Sequence, residues 1–180
     1  MLYWDMKWNS FEGEFSDLEV SQRLNVALAC LESVLVKDVG YFYLSLTEDQ
    51  KILINTALDI LWGNNSTEDK GVIAEKLSEQ TELDNKPGFY DLLMGVLLLL
   101  NADDGLTADD TLEVMSYIYQ SILDREIISQ LIRDTLESEV QVMERNNQRC
   151  LCVVDEQIQY LKNVKKGHLI KRQEVLLDRV

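Results

Sequence analysis

Phe89-Tyr90-Asp91-Leu92-Leu93-Met94-Gly95-Val96-Leu97-Leu98-Leu99-Leu100 is the stretch on which the fold turns. Apolar side chains fill nearly every position, so a helix wound from it has no polar face to leave in water. Such a helix belongs at the centre of a domain, covered on several sides. Its longest apolar run, Met94 to Leu100 with Gly95 inside it, is far below the ~20 residues that span a bilayer. Breakers flank it. Asn85-Lys86-Pro87-Gly88 precedes it, and Pro87 suits a first helical turn, where a missing N–H does no harm. Asn101-Ala102-Asp103-Asp104-Gly105 follows it.

Working outward, the neighbours read as the helices that cover it. Ser16 with Glu19 has the spacing of a capping box, with Phe15 and Val20 placed as a hydrophobic staple. Leu24, Ala27, Leu28, Leu31 and Leu35 then recur on one helical face. Gly40 closes that helix before the aromatic turn Tyr41-Phe42-Tyr43. Thr47 with Gln50 opens the next helix, which carries Leu53, Ala57, Ile60 and Leu61 and stops at Gly63. Thr67 is placed to cap a third, through Val72, Ile73 and Leu77. Thr107 caps a helix with Leu112, Met115, Ile118, Tyr119 and Ile122 inward. Ile128, Leu131, Ile132, Leu136, Val140 and Met143 form one further stripe, and Leu151, Val154, Ile158 and Leu161 another. Asn146-Asn147 either separates two helices or lies within one. Gly167 ends this region, and Ile170 to Val180 reads as a loosely packed last helix or tail.

With one proline and 8 glycines in 180 residues, turns are too few for a sheet-rich chain. The expectation is a single all-α domain over residues 1–180, a compact bundle of six to eight helices. An aromatic arm spans 1–15 and a basic helix or tail 168–180.

The charge is lopsided. Seventeen Lys and Arg stand against 32 Asp and Glu, a net of −15. Residues 1–110 hold 21 acids and 7 bases, whereas 160–180 hold six bases and two acids. Such an acidic surface repels phosphate, which excludes nucleic acid from the acidic face and argues against anionic membrane. The N-terminus has early acids and no apolar stretch after a basic start, unlike a signal peptide. Cys30, Cys150 and Cys152 are odd in number and lack framework spacing, so they read as free thiols of a reducing cytoplasm.

No catalytic signature is present: no nucleophile elbow, phosphate loop, dinucleotide fingerprint or helical Glu-x-x-His pair. The loop Asn101–Asp110 resembles a calcium loop only superficially. With Gly105 at the sixth position, Leu100 falls at the first and Thr111 at the twelfth, where oxygen ligands are required. The Cys150-x-Cys152 pair lacks two further zinc ligands, and lone His168 reads as a surface residue. The chain is therefore expected to be no enzyme, with no cofactor or metal. Trp4, Trp8, Phe11 and Phe15 recur at helical spacing. They either dock on the protein's own core or pack on a second copy or partner.

Val26-Ala27-Leu28-Ala29-Cys30-Leu31-Glu32, the aromatic turn Tyr41–Tyr43 and Ala57-Leu58-Asp59-Ile60-Leu61-Trp62 resemble, in that order, the bacterial YjaG-like helical family of unknown function. The helices from Tyr90 and from Leu112 follow its pattern too, so the resemblance covers about residues 15–165. These are short apolar core motifs: they imply a fold and no catalytic residue. The Trp4/Trp8 arm and the basic tail depart from the pattern. In size, acidity and helicity the chain is also similar to bacterial immunity proteins, which neutralise a cognate toxin. The expected function is protein binding in the cytoplasm, with an acidic surface blocking a basic, nuclease-like toxin. Asp103, Asp104, Asp109, Asp110 and Glu113 would steer and contact it, with Trp4 and Trp8 as candidate anchors. The alternative is a structural or regulatory homo-oligomer, a homodimer in its simplest form, in which arm and tail engage a second copy.

Overall fold

A computed structural model describes residues 3–8, 12–38, 40–44, 46–64, 68–81, 86–102, 105–131 and 135–177. Among them are ten α-helices and no strand, so the all-α class holds with a few more helices than the periodicity implies. They are α1 (Tyr3–Trp8), α2 (Glu12–Ser16), α3 (Val20–Lys37), α4 (Glu48–Leu61), α5 (Lys70–Thr81), α6 (Phe89–Asn101), α7 (Ala108–Glu126), α8 (Glu137–Asn146), α9 (Gln148–Lys165) and α10 (Arg172–Leu177). A 3₁₀ turn, Ile128–Gln130, follows α7. The additional helices are the short pieces α1 and α2, made by the aromatic arm.

The apolar helix α6 is central. It packs against α3, α4, α5 and α7, burying Phe89, Leu92, Leu93, Val96, Leu99 and Leu100. Helix α3 runs through the core on the other side, against α7, α9 and α10. Its residues Val26 to Val36 are all buried. That unbroken run explains why a single stripe understated its burial: neighbours close on it from several directions.

Two of the capping expectations hold. Thr47 Oγ1 accepts from Gln50 N–H at 3.3 Å, and Gln50 Oε1 accepts from Thr47 N–H at 3.0 Å. Thr107 and Asp110 pair likewise, at 3.0 and 2.9 Å. The box expected at Ser16 lies three residues later. Ser16 ends α2, and Gln22 Oε1 accepts from Glu19 N–H at 2.9 Å at the start of α3. Val20 is half exposed and lies against Gly105. Pro87 sits two residues before α6, because Gly88 is the N-cap of that helix. Thr67 lies outside the described residues; Asp69 Oδ1 accepts from Gly71 N–H and Val72 N–H at the start of α5.

The stripe from Ile128 to Met143 is not one helix. Helix α7 ends at Glu126, and α8 begins only at Glu137, leaving Ile128, Leu136 and Met143 exposed; Ile132 is outside the described residues. Periodicity alone cannot register the break between two short amphipathic pieces. Asn147 separates α8 from α9, its side-chain oxygen accepting from Arg149 and Cys150 N–H at 3.0 Å each. Among the other breaks, Gly167 at φ 82° follows α9.

Three polar anchors pin the periphery. Trp4 and Trp8 both donate their indole N–H to Gln157 Oε1 at 3.1 Å, and Gln157 Nε2 donates to the Met115 carbonyl at 2.9 Å. Trp8 is 2% exposed and Phe15 fully buried, so the described part of the aromatic arm docks on the protein's own core; Phe11 lies outside the described residues. Asp38, capping α3, holds Arg125 at 2.6 Å and Arg149 at 2.7 Å. Arg125 also lies over the rings of Tyr41 and Phe42. Buried Glu32 accepts from Trp62 Nε1 at 2.6 Å and Arg172 Nε at 2.9 Å, while Arg172 also bonds Asp59. With Ile170 and Val175 buried, the last segment is anchored rather than loosely packed through residue 177; residues 178–180 lie outside the described residues.

Gly88 has φ 77°, and a Cβ there would lie 2.8 Å from the Ser121 carbonyl carbon and closer still to its oxygen. Gly167 has a similar φ with open space around it. Gly88→Ala should therefore lower unfolding free energy by at least about 2 kcal/mol, against about 1 kcal/mol for Gly167→Ala, by urea titration. Equal losses would refute the close approach. Gln157→Ala should destabilise by about 3 kcal/mol and red-shift tryptophan emission, because it strands two indole donors.

Candidate functional site

Helix α6 is covered incompletely on one side. Between α5, α6 and α7 runs an open groove of about 710 Å³. Met94, Leu97 and Leu98 of α6, with Ala74 and Ala102, form its apolar floor. One wall is a face of α5: Gly71, Glu75 and Ser78, spaced i, i+4, i+7. The other is a face of α7: Asp110, Glu113 and Tyr117, spaced i, i+3, i+7. Asn101 stands at the end of the floor. Among the described residues, three carboxylates line the groove and no lysine or arginine does.

The two acids of α7 are held in place. Asp110 closes the α7 capping box, and its bonds to Thr107 hold its carboxyl below the usual range. It therefore stays ionised under all ordinary conditions. Tyr117 Oη donates to Glu113 Oε1 at 3.1 Å. Burial first and Glu113 second push the Tyr117 phenol up, so it remains a neutral donor. The wall thus offers fixed carboxylate oxygens over an apolar floor, an arrangement that accepts cationic N–H donors carried on an apolar stem.

Farther along the α6–α7 seam, Asp91 and Asp124 approach one another. Burial, followed by the charge of Asp124 and a hydrogen bond with it, pushes Asp91 up to about 6. Gln120 Nε2 donates to Asp124 Oδ1 at 2.7 Å. A raised carboxyl pKa means that the folded chain holds a proton the unfolded chain releases. Stability from this pair is present below about pH 4 and lost as pH rises to about 6. Asp91→Asn should raise the melting temperature at pH 7 and flatten its dependence between pH 4 and 6. An unaltered profile would refute the shared proton.

Of the residues expected to meet a partner, Asp110 and Glu113 come together in this groove. Asp109 is exposed on the first turn of α7 but does not line it. Asp103 and Asp104 lie outside the described residues. Trp4 and Trp8 are elsewhere, against Gln157 and Tyr119, and Trp8 is inside the core rather than on a surface. The sequence reading missed Glu75, Ser78 and Tyr117. The spacing of each from its neighbours on one helical face was visible; that α5 and α7 flank one another across α6 was not.

The thiols are quiet. Cys30 and Cys150 are buried, and burial pushes both up, Cys150 to about 12, so neither supplies a thiolate near neutrality. His168 is exposed beside Glu174. Among the described residues, no group of three His, Cys, Asp or Glu side chains could hold a metal ion, and no helix is long and apolar enough to cross a membrane. Comparison with protein-family models, with curated proteins and with solved structures finds no match to this chain.

Proposed function

We propose that this chain is a non-enzymatic protein-binding module, of the immunity-protein kind, whose acidic groove receives a basic segment of a toxic partner in the cytoplasm. The observation that carries the reading is the groove itself: Glu75, Asp110 and Glu113 over Met94, Leu97 and Leu98, with no lysine or arginine among the described residues of its lining. Uncompensated carboxylates at a preformed concavity steer a basic partner and reject phosphate backbones. The apolar floor gives that partner something to bury, which charge alone would not. The strong negative charge of the first 110 residues adds long-range attraction to the same end.

Close charge pairs at such interfaces contribute from about 1.5 kcal/mol each. Replacing both Glu75 and Glu113 by Lys should therefore weaken partner binding about a hundredfold or more, with helix content unchanged by circular dichroism. The experiment is affinity capture from the native host with wild type and this double variant, followed by expression of each captured basic protein alone. Support is a protein that is held only by the wild type, is released by salt, and poisons cells lacking this chain. Capture indifferent to Glu75→Lys/Glu113→Lys, or captured proteins that are all harmless, would overturn the reading.

A further inference from the structure

Among the described residues, helix α8 packs against α9 and α1. Val140 and fully buried Glu144 face inward, Glu144 accepting from Tyr119 Oη. Val142, at 59% exposure, lies on the opposite side and Met143, at 40%, on the flank, with Leu136 at 64% just before the helix. Leu131 and Thr135 extend the same surface into a second groove of about 600 Å³. Large apolar side chains grouped in this way mark a contact surface rather than ordinary scatter.

The charges on this face have an order. Glu137 and Glu139 stand in the first turn and Arg145 in the last. Glu139 sits three residues before Val142 and Arg145 three after it. A two-fold axis at Val142 would set a second α8 antiparallel to the first and place Glu139 opposite Arg145 twice over. Arg145 forms no ion pair among the described residues; its recorded contact is Met6 Sδ at 3.4 Å. Glu139 keeps one bond, accepting from Leu136 N–H, and has acceptor capacity remaining.

We infer that α8 is a self-association surface: a second copy of this chain docks on it, antiparallel about Val142, burying Leu136, Val142 and Met143 and pairing Glu139 with Arg145. The interface is isologous, as a closed two-fold contact must be. It is independent of the acidic groove, which α5, α6 and α7 form. A surface built from one short helix lies toward the small end of protein interfaces, so the dimer should be reversible and concentration-dependent.

Sedimentation equilibrium of the full chain over a range of concentrations tests this. Wild type should follow a monomer–dimer equilibrium. Val142→Glu, Glu139→Arg and Arg145→Glu should each weaken it at least about tenfold, since each buries an unpaired charge or opposes like charges. Mixing Glu139→Arg with Arg145→Glu should restore a mixed dimer, because in this register every pair then has opposite signs. That mixture also controls for folding, as two misfolded variants would not rescue each other. A monomeric mass for wild type at every concentration, a dimer indifferent to Val142→Glu, or failure of the mixture to recover would overturn the inference.

Discussion

An apolar helix without a polar face has to be covered all round, and α6 is that helix. The requirement places α3, α4, α5 and α7 about it and fixes which face each turns inward. Burial of its leucines, each contributing on the order of 2 kcal/mol, is the force to which the surrounding helices answer. Among the described residues the cover is incomplete over Met94 and Leu98. There the gap is walled by acids rather than closed by apolar side chains. The structural demand and the candidate site therefore have a common origin: the groove is the unfinished side of the core.

The polar anchors do a different job. Apolar contacts are undirected, and many arrangements of short helices would bury α1, α2 and α10 equally well. Gln157, Asp38 and Glu32 remove that freedom, because each is satisfied only when particular partners arrive from distant parts of the chain. Gln157 requires both tryptophans of α1. Glu32 requires Arg172, 140 residues away. Burying these groups without their partners would leave charges and amide atoms unsatisfied, a large penalty at low dielectric.

The capping boxes at Thr47 and Thr107 were legible because they are local chemistry: hydroxyl, amide and acid lie within four residues. The Ser16 box was misplaced because Ser16–Glu19 and Glu19–Gln22 both have the right spacing, and the short helix α2 claims the serine. The stripe from Ile128 to Met143 failed for a related reason. Apolar positions in phase on paper fall on a 3₁₀ turn and on α8, and α8 buries Val140 while leaving Met143 exposed. In the groove, Asp110 and Glu113 were found from charge density beside a helix start. Glu75 was not, because its relation to them passes through α6.

Local chemistry makes this protein helical, places residues 89–100 at its centre and gathers its negative charge in the first 110 residues. Those properties follow from periodicity, side-chain polarity and turn chemistry, all of which act over a few residues. Packing between distant helices decides that the arm folds back onto Gln157, that the basic end is partly neutralised by Glu32 and Asp59, and that three scattered acids share one groove. Those outcomes depend on which helix faces pack together, and that is settled by the joint burial of side chains far apart in the chain.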